Sequence, residues 1–116
     1  MDNKTYLDLS DRTCKHIDEP VLIDPKRYDL LHAILGIAGE SGEIVDAVKK
    51  HVIYNKPLDI ANMREEIGDV MWYIALACRS LDFDLGDILQ ENIEKLAKRY
   101  PEKYTDEHAV LRLDKQ

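Results

Sequence analysis

The longest uninterrupted apolar run in the chain, Val70 to Cys78, is nine residues long and lies inside a segment of helical periodicity. Ile60, Met63, Ile67, Val70, Met71, Ile74 and Cys78 recur at the spacing of one helix face. Within the run, Trp72 and Leu76 fall on the opposite side, so this stretch is apolar all round. A helix of that kind is covered on every side, and nine residues are far short of the ~20 that cross a bilayer. The chain must therefore build a helical structure around it. A protomer of 116 residues has little material for that, which predicts a second copy; the competing cover is the first helix together with the tail.

The rest of the chain divides at its prolines. Pro20, Pro25, Pro57 and Pro101 all fall between periodic segments, and no internal repeat or low-complexity tract is present. Thr5 to about His16 reads as a short helix, and Ile17 to Asp24 as a connector. Asp24-Pro25 is an N-cap followed by proline at the first helical position. The helix it opens should run to about Lys50, with Leu31, Ile34, Leu35, Ala38, Val45 and Val48 as its apolar stripe. After a loop from His51 to Leu58, Asp59 caps a helix reaching about Leu81. Asp84 caps a last helix through Arg99, turning Leu85, Leu89, Ile93 and Leu96 inward, and Tyr100-Pro101 ends it. The polar tail from Glu102 should be irregular. Four helices on short loops predict an all-α, four-helix bundle protomer. It should be a single domain over residues 1–116, with its core at about 5–105, assembled into a dimer or tetramer.

Charge narrows the partners. A formal net charge of −7 argues against a phosphate-backbone binder, which would show a basic stripe. It leaves a nucleotide substrate open, because a bound cation reverses the local sign. Cys14 and Cys78 form no CxxC pair or metal-type cluster, and Met1 to Ser10 is too polar and acidic for a secretory leader. The expectation is a cytoplasmic protein with no membrane partner.

The candidate chemistry lies in two acidic pairs. Glu40 and Glu43 stand three apart in Gly39-Glu40-Ser41-Gly42-Glu43, and Glu66 and Asp69 three apart in Glu65-Glu66-Ile67-Gly68-Asp69. That spacing puts both members of each pair on one helix face. Solvated surface acids give the same pattern by chance, but three features favour a site. None of the four has a basic residue three or four positions away, where surface acids usually find a stabilising ion pair. Glu66, Asp69 and Tyr73 lie within about 60° of one another around the helix, flanking the apolar stripe where bundles build carboxylate metal sites. Gly36, Gly39, Gly42 and Gly68 crowd the same acids, at a cost of ~1 kcal/mol each in a helix interior. They indicate close helix approach or room for a ligand. Four carboxylates with no His or Cys form a hard oxygen site, which suits Mg²⁺, with Mn²⁺ as a substitute. Mg²⁺ is commonly completed by substrate phosphates.

Opposite the acids, Asn92, Lys95 and Arg99 share one flank of the last helix. They suit phosphate oxygens, and Asn92 also a sugar or base; a basic edge near a helix C-terminus is the plain alternative. Tyr73 ranks ahead of Trp72 as a stacking residue because it lies on the acidic flank. His51 follows Lys49-Lys50 in the loop and reads more readily as solvated than as a phosphate ligand. No serine or cysteine triad and no phosphate-binding glycine loop is legible, which leaves metal and water to do the chemistry.

At these residues the chain resembles the all-α nucleoside triphosphate pyrophosphohydrolases, most closely the short MazG-like branch of bacteria and phages. The likeness rests on ExxE at Glu40–Glu43, then 22 residues, then ExxD at Glu66–Asp69. Three longer segments, at 35–43, 64–75 and 92–101, are also similar to family sequences, and coverage is about residues 5 to 105. The resemblance implies catalytic acids Glu40, Glu43, Glu66 and Asp69 binding Mg²⁺, and cleavage between the α and β phosphates to a monophosphate and pyrophosphate. It implies Lys95 and Asn92 on the nucleotide, Tyr73 beside the metal, and a site that draws on two subunits. Gly39 precedes Glu40 where longer members carry another acid, which leaves the number of metals open. The alternatives are a related hydrolase acting on a phosphoribosyl-ATP-like or signalling nucleotide, and a non-catalytic metal or nucleotide-binding module.

Overall fold

The computed structural model describes residues 1–116 and is all helical, with no strand. Its elements are α1 (Asn3–Asp11), α2 (Pro25–Ile53), α3 (Ile60–Ser80), α4 (Leu85–Arg99), α5 (Asp106–Leu111) and a terminal 3₁₀ turn, Leu113–Lys115.

Each long helix starts where a short acidic side chain can hold a free backbone N–H. Asp24 accepts from Arg27 N at 2.9 Å, Asp59 from Asn62 N at 3.0 Å, and Asp84 from Asp87 N at 3.1 Å. Such a cap contributes roughly 1 kcal/mol to its helix. Asp2 caps α1 in the same way, and α1 ends at Asp11, short of His16. α3 stops in a Schellman turn: Asp82 takes the left-handed conformation at φ 56°, and Phe83 N donates to Cys78 O at 2.8 Å.

α2 and α3 form an antiparallel hairpin, by far the most extensive packing in the chain. Lys26 near the start of α2 meets Asp82 just past the end of α3 at 2.6 Å and ties the open end together. The less exposed residues of α2 are Leu30, Ala33, Gly36, Ile37, Glu40, Ser41, Ile44 and Ala47, recurring at the helical period. They mark the face turned to α3. The stripe expected to face the core lies elsewhere: Leu31, Ile34, Leu35, Ala38, Val45 and Val48 are all exposed. The reason is size. α2 is apolar on two sides, and the side with more small residues lets the two backbones come close. The bulkier side is left outward.

The chain does not close a four-helix bundle by itself. α4 packs on α5 and the 3₁₀ turn, and residues 1–24, α1 included, are exposed throughout. Only Ala33, Leu76 and Cys78 are buried; Met71 and Trp72, within the all-round apolar run, are 44% and 55% exposed. The radius of gyration is 20.5 Å, against about 13 Å for a compact domain of ~100 residues. The tail also departs from expectation. Thr105 caps α5 through His108 N at 3.1 Å, and Asp114 fixes the following turn to α4. No helix is long and apolar enough to cross a membrane.

Candidate functional site

Glu40 and Glu43 project from the middle of α2 and Glu66 from α3, and the antiparallel packing brings the three together. One carboxylate oxygen from each lies within 4.8 Å of the others. The Oε2 atoms of Glu40 and Glu66 are shielded from solvent and accept no hydrogen bond. Such an orphaned oxygen costs a few kcal/mol unless something supplies positive charge or a proton. A proton is the local remedy: the neighbouring Glu40 carboxyl, desolvation and the charge of Glu43 push the Glu66 carboxyl up to about 7. A divalent cation is the other, and an all-oxygen donor set with unsatisfied lone pairs fits one.

The fourth expected ligand, Asp69, is not in this cluster. It lies one turn further along α3 and shares a cavity of about 320 Å³ with Glu40, Trp72 and Tyr73. That cavity carries the aromatic side of the site. Trp72 and Tyr73 meet edge to face at 5.1 Å, and His32 adds its ring at 5.6 Å from Tyr73. A methyl group on Gly36 would overlap the Tyr73 ring, so this glycine is what lets the ring lie against α2. Gly39, Gly42 and Gly68 do something different: a methyl on any of them meets nothing within 4 Å.

The absent side chains at Gly39 and Gly42 open the larger cavity, about 530 Å³, which also has Glu43 and Glu66 in its wall. Lys56 and Asn62 line it as well. Lys56 does not stand out in the sequence because its position depends on how the α2–α3 loop turns, while Asn62 lies on α3 one turn before Glu66. The basic row is elsewhere. Asn92 and Lys95 are exposed on α4, which packs on the tail rather than on the hairpin. Arg99 donates from Nε and Nη2 to the two carboxylate oxygens of Asp114, at 2.8 and 3.1 Å. A single chain thus assembles the acids, the rings and a polar cavity, without the α4 row.

Residues 29–104 match the family model of the MazG nucleotide pyrophosphohydrolase domain. The chain is also similar to the Gene 37 protein of Mycobacterium phage L5, with 38% identity over 76 residues, which are 60% of this chain and 65% of the phage protein. It thus spans less than two thirds of that relative's length. No solved structure matches the chain. The matched residues hold all four acids and the whole of α3 and α4, and the chain belongs to the MazG nucleotide pyrophosphohydrolase family.

Proposed function

We propose that the chain hydrolyses nucleoside triphosphates, ribo or deoxyribo, between the α and β phosphates, releasing a monophosphate and pyrophosphate. The observation that carries this reading is the pair of orphaned carboxylate oxygens, on Glu40 and Glu66, beside a polar cavity in a member of this family. Glu40, Glu43 and Glu66 would hold Mg²⁺, or Mn²⁺ in its place, with Asp69 joining from the next turn. When bound, the cation would neutralise phosphate charge and favour attack by water.

The protein's own groups have separate tasks. Glu43 is the exposed member of the acidic cluster and faces the larger cavity, so it is the acid best placed to orient a water and take its proton. Tyr73 offers a ring edge beside Asp69. Asn92 and Lys95 would contact phosphates, and Arg99 would join them only on release from Asp114. Since α4 does not pack on the hairpin of its own chain, a dimer or tetramer would bring that row to a neighbour's acids. The outward apolar faces of α2 and α3 support such assembly. A reducing cytoplasm suits Cys14 and Cys78, both unpaired.

Purified protein incubated with Mg²⁺ and a panel of NTPs and dNTPs, with products resolved by anion exchange, tests the reading. Monophosphate with equimolar pyrophosphate is expected. Diphosphate with orthophosphate, or no product even with Mn²⁺, would overturn it.

A further inference from the structure

The larger cavity has acids at one side and the α2–α3 loop at the other, and the loop is fastened around one residue. Lys56 N donates to Lys50 O at 3.1 Å, and the His51 ring, as the Nδ1–H tautomer, donates to Lys56 O at 2.7 Å. Asn55, just before it, is held at φ 56°, and Pro57 follows. Both backbone polar groups of Lys56 are therefore fixed, and its neighbours have little freedom. So much local order around an exposed lysine calls for a reason.

Charge pairing supplies it. Of the lysines at this end, Lys50 is bound to Asp46 at 2.7 Å, and Lys49 lies over the Tyr54 ring at 5.9 Å. Asp59 is occupied as the α3 cap. Lys56 has no carboxylate partner although it lines a cavity containing Glu43, Asp46, Asp59 and Glu66. No aromatic ring lines that cavity, so it has nothing on which a base could stack. The rings, Trp72 and Tyr73, line the other cavity together with Glu40, whose carboxylate lies within 4.8 Å of those of Glu43 and Glu66.

We infer that Lys56, braced by His51, binds the terminal phosphates of the substrate. The polyphosphate chain then runs from the acids toward the α2–α3 loop, and the base lies toward Trp72 and Tyr73. This rests on the nucleotide reading above and adds a direction and two residues to it. Lys56 contacts the ligand, and His51 positions Lys56.

The test is calorimetric binding of inorganic pyrophosphate with Mg²⁺ to the wild-type protein and to the Lys56→Ala, Lys56→Arg and His51→Ala variants, with a nucleoside monophosphate as control. Lys56→Ala should weaken pyrophosphate binding about tenfold and leave the monophosphate unchanged. Lys56→Arg should restore most of the loss. His51→Ala should give a smaller loss of the same kind, recovered by His51→Asn, which can still donate to the Lys56 carbonyl. Equal pyrophosphate affinity in wild type and Lys56→Ala, equal weakening of the monophosphate, or no binding of pyrophosphate to wild type would each overturn the inference. Failure of the hydrolysis reading looks different: the wild type would consume no triphosphate and yet bind pyrophosphate through Lys56.

Discussion

At the scale of single residues, the acids create a tension that the protein must relieve. Glu66 ordinarily ionises near 4.5 but is raised to about 7 in the fold. A carboxyl raised in the folded state binds more protons folded than unfolded between those values, so metal-free stability should fall as pH rises from about 4.5 to 7. Thermal melts in chelator across that range should show the decline. Glu66→Gln should flatten it, and Mg²⁺ should restore wild-type stability at pH 7.5 while leaving Glu66→Gln unchanged. The same variant should lose at least about 100-fold in hydrolysis, as a cation site deprived of a ligand does.

The glycines divide by what surrounds them. Gly39→Ala or Gly42→Ala places a methyl in open space and should stabilise the helix by about 0.5–1 kcal/mol. It should also raise KM several-fold by narrowing the cavity. Gly36→Ala should destabilise by about 1–3 kcal/mol, because the Tyr73 ring must move. Chemical denaturation alongside kinetics separates the two classes.

At the scale of elements, the helices were legible wherever the signal was local. Asp24, Asp59 and Asp84 cap the helices they were expected to cap, since a cap depends only on a side chain and the next three residues. The acidic pairs were readable for the same reason: i and i+3 share a face in any helix. Which face of α2 meets α3 was not readable. Periodicity finds both apolar sides and cannot weigh Ala33 and Gly36 against Leu31 and Leu35. Asp69 shares the helix face of Glu66 but stands one turn away from the three clustered acids, and the place of Lys56 is set by tertiary bonds of the loop that no local pattern shows.

The tail was missed because α5 is six residues long and has no stripe to detect. Its anchor is Asp114, whose side chain is 3% exposed. The Arg99 guanidinium holds its carboxyl down at about 2. A depressed carboxyl contributes stability above its unfolded pKa and loses it as pH falls through the folded one. Amide protection factors over 106–116 should therefore be high above pH 4 and fall between about 4 and 2. Asp114→Asn should release the same segment at neutral pH without lowering α2–α3 protection.

At the scale of the molecule, one chain leaves much of its apolar surface in water. Leu35 is 63% exposed, Ile34 53% and Trp72 55%. Contiguous exposure of that kind marks an interaction surface. Light scattering should give a mass of two or four times 13.4 kDa, and melting temperature should rise with protein concentration. Leu35→Asp, harmless on a true surface, should dissociate the assembly; a monomeric wild type would refute this.

The separation of α4 from the hairpin gives the assembly a genetic signature. The acids belong to one structural block and Lys95 to another, so the two can be inactivated in different chains. Glu66→Gln chains and Lys95→Ala chains, each inactive alone, should complement each other after unfolding and co-refolding. If every site borrows α4 from its neighbour, half of the randomly mixed dimers are hybrids, and each hybrid regains one intact site of its two, or about a quarter of wild-type activity in all. A hybrid with no recovery would place both blocks of each site within the same polypeptide.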